Sequence, residues 1–112
     1  RAIRDVYKRQ KELWFANWDL GGNYWQKPTP KAYSEFNPSN FVDKWNKPIM
    51  VIQGGIDFRV PYEQGQEAFQ VAKLKGLKTK FLYFPNENHW VLHPQNGLVW
   101  QREFFDWLKE TL

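Results

Sequence analysis

The pattern of hydrophobic and polar positions changes near Lys47 of this 112-residue chain. Beyond Pro48 the pattern becomes regular. The apolar run in "IMVIQ", residues 49–53, is rich in β-branched residues and predicts a strand covered on both faces, as in a parallel sheet. The stretch "TKFLYF", residues 79–84, is a second short apolar run that ends before Pro85, and it predicts a second strand.

Two amphipathic helices are predicted around the second strand. Residues 61–75 begin with a proline suited to the first helical turn and stop at Gly76, with three apolar residues on one side: Ala68, Val71 and Ala72. A final helix has an apolar stripe formed by Leu98, Phe105, Leu108 and Leu112. The order strand, helix, strand, helix predicts an α/β fold with a right-handed crossover between parallel strands.

The segment before Lys47 mixes aromatic residues with Gly, Pro and Asn, which predicts short helical turns and loops. Its first half carries five large aromatic residues: Trp14, Phe15, Trp18, Tyr24 and Trp25. Two interpretations remain open. The aromatic residues pack a loop against a larger body, or they form a platform on which sugars or bases stack.

Composition narrows the class of protein. The hydrophobic content of 42% and aromatic content of 19% suffice for the core of one small domain. The chain has no cysteine, which excludes disulfides and thiolate metal sites, and we expect no cofactor. The absence of cysteine does not distinguish a cytoplasmic from a periplasmic protein. No apolar run reaches the roughly 18 residues that a membrane span needs.

The net charge of +4 is concentrated at the N-terminus. The first ten residues, "RAIRDVYKRQ", hold four basic residues and one acidic residue and so contribute +3 of it. The remainder offers no basic face, so we expect no nucleic-acid partner. Because residues 1–10 show no clear period, we interpret them as a tail foreign to the fold, and residues 11–112 as the structured part.

The candidate chemistry lies just beyond the two predicted strands. Asp57 follows the first strand and His89 the second, and the loops after neighbouring parallel strands share one edge of the sheet, where ligands gather. Such an aspartate can orient an imidazole that acts as a base near neutral pH. Gly54 and Gly55 would allow a tight chain reversal, and Asn88 would tolerate a left-handed backbone. The alternative is an aspartate in a turn and a structural histidine.

A metal site is a rival interpretation. The stretch "HWVLH" places His89 and His93 at the i, i+4 spacing of two ligands on a helix. Pro94 disfavours helix at His93, and no obvious third ligand is adjacent, so we predict no metal there.

Several motifs resemble one family when they are taken together. "LWFANWDLGGNYW", "NPSNFVDKWNKPIMVIQG", "GGIDFRVP", "FLYFPNENHWVLHPQN" and "WQREFFDWL" are similar to the end of the prolyl oligopeptidase family of serine peptidases, in its dipeptidyl peptidase IV and acylaminoacyl peptidase branches. The resemblance covers about residues 11–112. It implies the C-terminal part of an α/β-hydrolase domain, usually preceded by a β-propeller, that cleaves peptide substrates. It also implies that Asp57 and His89 are the acid and the base of a catalytic triad.

Two further roles come from the same resemblance. Arg59 resembles an arginine with which some members bind a substrate backbone carbonyl, and Val60 an apolar residue lining the pocket for the side chain before the scissile bond. The alternatives are a solvated loop charge at Arg59 and simple packing at Val60. Many members have glycine where Asn88 stands here.

The nucleophile of such a triad is missing from the chain. Triads on this fold run in the order serine, acid, histidine, with the serine in a G-x-S-x-G turn. Ser34 and Ser39 do not lie in such a turn. We therefore expect the serine upstream, in a larger polypeptide of which this is an inactive fragment. The alternatives are another α/β-hydrolase such as an esterase, a glycan-binding module, and a catalytically inactive interaction domain.

Overall fold

A computed structural model describes residues 17–112 of the chain. The predicted foreign tail and the aromatic residues Trp14 and Phe15 therefore lie outside the described residues. The chain divides between Trp45 and Asn46 into two compact units. The second unit carries both residues of the candidate pair.

The second unit is a strand–helix–strand–helix arrangement, as predicted. It consists of β1 (Ile49–Gly54), α1 (Tyr62–Leu74), β2 (Thr79–Phe84) and α2 (Pro94–Thr111). The two strands pair in parallel, from Ile49 opposite Thr79 to Gly54 opposite Phe84, and they are the whole sheet within residues 17–112. Because both strands end at the same level, the loops that follow them leave one edge side by side.

Helix α1 packs against both strands. It begins one residue later than predicted, because Pro61 lies at the N-cap with a ψ of 140°, outside the helical range.

 The helix ends at Leu74, and Gly76 adopts a φ of 73°, the left-handed conformation that commonly follows a helix C-terminus. Ala72 is fully buried, and the ring of Phe69 stacks on Phe81 of β2 at 5.4 Å between centroids. The predicted helix is therefore confirmed.

Helix α2 forms where it was predicted but buries a different side. Leu98, Phe105 and Leu112 of the predicted stripe are 70%, 55% and 98% exposed, whereas Trp107 is 7% exposed. Leu108, the fourth residue of the predicted stripe, is half-buried, so the prediction was wrong for the other three. The covered side of the helix contains Trp100, Phe104 and Trp107, which follow the helical i, i+3, i+4 pattern. The rings of Trp100 and Phe104 stack with their centroids 5.6 Å apart.

Ion pairs join helix α2 to the start of β2. The Lys80 Nζ lies 2.5 Å from Glu103 Oε2, and the Lys78 Nζ lies 3.1 Å from Glu110 Oε2. The hydrogen bond between Lys80 and Glu103 raises the pKa of the lysine and lowers the pKa of the glutamate.

No helix within residues 17–112 combines the length and the hydropathy that a membrane-spanning helix requires.

The described part of the first unit consists of short turns, as predicted. It contains two 3₁₀ helices, Lys31–Tyr33 and Pro38–Lys44. The Tyr33 hydroxyl donates to the Gly22 carbonyl at 3.1 Å, and Tyr24 contacts Trp25 edge to face at 4.9 Å. Trp18 is 83% exposed, so both interpretations of the aromatic residues stay open.

Candidate active site

The loop after β1 holds Asp57 in a defined orientation. Its carboxylate oxygen Oδ1 accepts hydrogen bonds from the backbone N–H groups of Arg59, at 2.9 Å, and Val60, at 2.8 Å. The residue is 8% exposed. An aspartate that accepts from the backbone two and three residues on is a common way to close a turn. Here that turn also leaves the second oxygen, Oδ2, directed at another side chain.

Gln53, the penultimate residue of β1, anchors the same loop. Its side chain is buried, and Nε2 donates to the carbonyls of Gly54, at 3.2 Å, and Val60, at 3.0 Å. Val60 is thus fixed through its carbonyl by Gln53 and through its N–H by Asp57. The loop has little freedom to rotate the carboxylate away, because both of its ends are hydrogen-bonded.

The loops after the two strands contact each other directly. Gly55 N–H donates to the Phe84 carbonyl at 2.8 Å, and Ile56 N–H donates to the Glu87 carbonyl at 3.0 Å. A Cβ atom at Gly54 would collide with the carbonyl oxygens of Glu87 and Asn88. The glycine is therefore required for close approach of two backbones.

The close approach of the two backbones is a different reason for glycine at positions 54 and 55 from the chain reversal that we predicted. The glycines of the described residues with positive φ are Gly21, Gly22 and Gly76, and they include neither Gly54 nor Gly55. A Cβ at Gly55 would lie 2.5 Å from the Tyr83 hydroxyl and 2.6 Å from the Pro85 carbonyl oxygen, so it too is needed for space.

His89 meets Asp57 across this junction. The Nδ1 atom of His89 lies 2.9 Å from Oδ2 of Asp57, although the two residues are 32 positions apart in sequence. The side chain of His89 is 22% exposed and that of Asp57 is 6% exposed. Since a carboxylate only accepts, Nδ1 carries the proton of the hydrogen bond. The hydrogen bond to Asp57 thus uses Nδ1, and Nε2 is the ring nitrogen that takes no part in it.

The residues on either side of His89 shape its loop. The Asn88 side-chain oxygen Oδ1 accepts from the Trp90 N–H at 2.8 Å, which closes a turn around the histidine. The Trp90 ring contacts the His89 ring edge to face at 5.4 Å and is 65% exposed. Asn88 thus contributes a turn hydrogen bond, a role that the sequence analysis did not assign to it.

Glu87 is the most deeply buried charged side chain among residues 17–112, at 1% exposure. Its carboxylate accepts four hydrogen bonds, from Leu92 N–H, His93 N–H, His93 Nδ1 and Asn96 Nδ2, at 2.9, 3.0, 2.7 and 2.8 Å. Burial by itself raises the pKa of Glu87, but these hydrogen bonds lower it from the ordinary value of 4.5 to about 2. The side chain is a buried anion at neutral pH.

The two histidines serve separate carboxylates. His93 bonds to Glu87 and stands at the N-cap of α2, while residues 89–92 are not helical. The helical i, i+4 geometry of the rival metal hypothesis is therefore absent at this place. No group of three His, Cys, Asp or Glu residues suited to a metal ion occurs in residues 17–112.

Arg59 and Val60 lie on the loop of the aspartate. Arg59 is exposed, and Val60 is 8% exposed. The burial of Val60 is what the packing alternative expects, and the substrate-binding roles of both residues stay predictions.

Both serines form local hydrogen bonds, Ser34 Oγ to the Lys31 carbonyl at 3.4 Å and Ser39 Oγ to Asn37 Oδ1 at 2.8 Å.

Comparison with known proteins identifies the family. The sequence model of the family described as Peptidase_S9, the prolyl oligopeptidase family, matches residues 3–112. The chain belongs to the prolyl oligopeptidase family. The resemblance drawn from the motifs is thereby confirmed, together with the α/β-hydrolase class of the fold. The match begins at residue 3, and the division into a foreign tail at residues 1–10 and a structured part from residue 11 stays a prediction.

Relatives of the prolyl oligopeptidase family match nearly the whole chain. The chain is 48% identical over 108 residues to the dipeptidyl-peptidase 5 of Porphyromonas endodontalis, covering 95% of the chain and 16% of that protein. It is 40% identical to the dipeptidyl-peptidase 4 of Giardia intestinalis, with 90% and 14% covered. Against the dipeptidyl-peptidase 5 of Schizosaccharomyces pombe the identity is 38%, with 93% and 15% covered. The chain spans about a sixth of the length of the first relative. No solved structure gave a significant match.

Sequence reasoning missed two members of this site. Gln53 and Glu87 hold the loops of the acid and the imidazole, yet neither has a spacing or a motif that marks it as buried. The signal available was weak: Gln53 is a polar residue at the end of one apolar run, and Glu87 lies three residues beyond the end of the other, and polar residues at such positions more often face solvent.

Proposed function

We propose that Asp57 and His89 are the acid and the base of the catalytic triad of a serine peptidase of the prolyl oligopeptidase family. The hydrogen bond of 2.9 Å between His89 Nδ1 and Asp57 Oδ2 is the observation that carries the proposal. It joins a buried carboxylate to a more exposed imidazole at the carboxyl ends of two parallel strands, where α/β folds gather ligands. The prolyl oligopeptidase family supplies the reaction class.

The mechanism follows from the orientation of the imidazole. A serine Oγ from outside this chain attacks the peptide carbonyl carbon while His89 Nε2 takes its proton. The tetrahedral intermediate collapses, the C–N bond breaks, and the departing amine receives that proton. Water then attacks the acyl-enzyme, again losing its proton to His89, and the serine is released with that proton. Asp57 holds the ring and stabilises the imidazolium at each stage.

The substrates that we propose are oligopeptides with a free N-terminus. The relatives described above are named dipeptidyl-peptidases, which favours the release of dipeptides over the release of acylated residues. In this proposal Arg59 donates to a substrate backbone carbonyl, since a guanidinium offers several directed N–H groups. Val60 lines the pocket for the residue before the cut.

The remainder of the enzyme is proposed to come from the same polypeptide. The coverage of 16% of the first relative leaves room for the rest of a hydrolase domain and for a β-propeller. In this proposal the serine and most of the oxyanion-binding groups belong to that part of the polypeptide. We infer no further partner from the described residues.

The experiment uses the full-length protein and a serine-directed fluorophosphonate probe. The wild type should be labelled, and His89→Ala and Asp57→Asn should be labelled at least about 10³-fold more slowly, because each change disables the base. Asp106→Asn, which alters an exposed carboxylate of α2, is the matched control and should label normally. Equal labelling of wild type and His89→Ala would remove His89 from the mechanism.

Substrate comparison separates the peptidase from an esterase. A dipeptidyl anilide with a free amino group should be cleaved, and the same compound with an acetylated amino group should not. Preference for simple esters over both anilides would favour another α/β-hydrolase activity.

A further inference from the structure

Glu87 lies between three parts of the candidate site. Its backbone carbonyl accepts from Ile56 N–H in the loop of the aspartate, at 3.0 Å, and its own N–H donates to the Phe84 carbonyl at 3.2 Å. Its side chain reaches in the other direction, to the residues that begin α2. One buried residue therefore connects the end of β2, the loop of Asp57 and the start of the last helix.

The side chain of Glu87 closes the loop that carries His89. Leu92 N–H bonds to Oε2 at 2.9 Å, and His93 N–H bonds to Oε1 at 3.0 Å. Residues 88–91 are thus spanned from both ends, with His89 inside the span. Because the Glu87 carboxylate holds the two ends of this loop together, it fixes the position of the His89 imidazole between them.

The charge of the side chain suits it to this task. The four groups around the carboxylate donate hydrogen bonds, and charge-assisted bonds of this kind are about twice as strong as neutral ones. A carboxylate at the N-terminus of α2 also interacts favourably with the helix dipole. A glutamine of the same shape has one acceptor oxygen and a donor NH₂ group, so it would set donors against donors at one side of the cluster.

We propose that Glu87 is a positioning residue for catalysis, which holds the loop of His89 so that Nδ1 stays on Asp57. The inference rests on the proposed function. Glu87 touches neither the substrate nor the reacting atoms in this scheme. It acts through residues 88–91 and through its backbone bond to the loop of the aspartate.

The test compares Glu87→Gln with a matched control in the full-length protein. We expect kcat per active site to fall by about 10²-fold with KM within about threefold, because a misplacement of the order of an ångström has that effect on a positioned group. In the wild type the hydrogen bond to Asp57 should give a strongly deshielded NMR signal for the Nδ1 proton of His89, and in Glu87→Gln this signal should weaken or disappear. Glu103→Gln removes a carboxylate that binds Lys80 away from the loop, and it should change neither kcat nor the proton signal.

A second variant covers the case in which Glu87→Gln does not fold. Asn96→Ala removes one donor, bonded at 2.8 Å, and leaves the carboxylate in place, so kcat and the proton signal should fall by a smaller amount. Wild-type kcat and an unchanged signal in the folded variant, or in Asn96→Ala when Glu87→Gln cannot be prepared, would overturn the inference.

The two proposals fail in different ways. Full activity in Asp57→Asn would refute the proposed function itself. Loss of activity in Asp57→Asn together with an unaffected Glu87→Gln would leave the function in place and remove only the positioning role.

Discussion

Gly54 and Gly97 illustrate how differently two glycines constrain this chain. A Cβ at Gly54 would collide with two backbone oxygens of the opposite loop, which cannot rotate away as a side chain can. A Cβ at Gly97, inside α2, would meet nothing within 4 Å. The first glycine is required by the approach of two loops, and the second only lowers the stability of a helix.

We expect opposite effects when each of these glycines is replaced by alanine. Gly54→Ala should lower the free energy of unfolding by about 1–3 kcal/mol, as overpacking does, and should also reduce activity by separating the loops. Gly97→Ala should raise it by about 0.5–1 kcal/mol, because alanine is the better helix former. Chemical denaturation and peptidase assays of the full-length protein check both. A Gly54→Ala variant with unchanged stability and activity would contradict the structure of the junction.

The low pKa of Glu87 predicts how the stability of the fold depends on pH. Its pKa is about 2 in the folded protein, below the ordinary value of 4.5, so its ionised form stabilises the fold at pH above about 4.5. That stabilisation is lost as the pH falls from about 4.5 to about 2. The difference in unfolding free energy between the wild type and Glu87→Gln should therefore be constant above pH 5 and shrink below it. A difference that does not vary with pH in urea denaturation of the full-length protein would contradict this.

At the scale of elements, the sequence predicted the strands and helices that a hydrophobic pattern marks, and it missed the features that depend on tertiary contacts. Both strands and α1 were predicted within a residue or two, because apolar runs, Pro61 and Gly76 mark them. The buried side of α2 was predicted wrongly, since Leu98 and Trp107 both belong to apolar stripes and only packing decides between them. Asp57 and His89 were placed together by topology, whereas Gln53 and Glu87 depend on hydrogen bonds that no period announces.

Trp107 and Leu98 test which side of α2 packs. Trp107→Ala should lower the free energy of unfolding by about 3–5 kcal/mol, because a buried aromatic side chain leaves a cavity. Leu98→Ala, at a position that is 70% exposed, should change it by no more than about 0.5 kcal/mol. Chemical denaturation of the two variants of the full-length protein supplies the comparison. A larger loss for Leu98→Ala than for Trp107→Ala would reverse the assignment of the two sides.

At the scale of the whole molecule, the sheet of the described residues is small. It has two strands, so the outer edge of each has no strand partner within residues 17–112. Apolar side chains remain exposed on several elements, among them Phe58, Leu74, Trp90 and Leu98. Two-stranded sheets are rarely stable alone, and open strand edges promote aggregation.

We therefore expect the 112-residue chain, expressed by itself, to aggregate or to melt without cooperativity and to show no peptidase activity. Size-exclusion chromatography and calorimetry measure the first two properties, and the dipeptidyl anilide measures the third. A monomer with a sharp, reversible melt would contradict the expected instability. Hydrolysis by the purified chain would show that it contains a nucleophile of its own.

The contact between the two post-strand loops limits how the gene can change length. Ile56 N–H and the Glu87 carbonyl lie 3.0 Å apart, so one added codon in residues 85–88 would shift every later atom relative to the opposite loop. The turn at Gly76, around which a new Cβ would meet nothing within 4 Å, carries no such restriction. Extra codons should therefore be tolerated in the turn before β2 and be rejected in the loop after it.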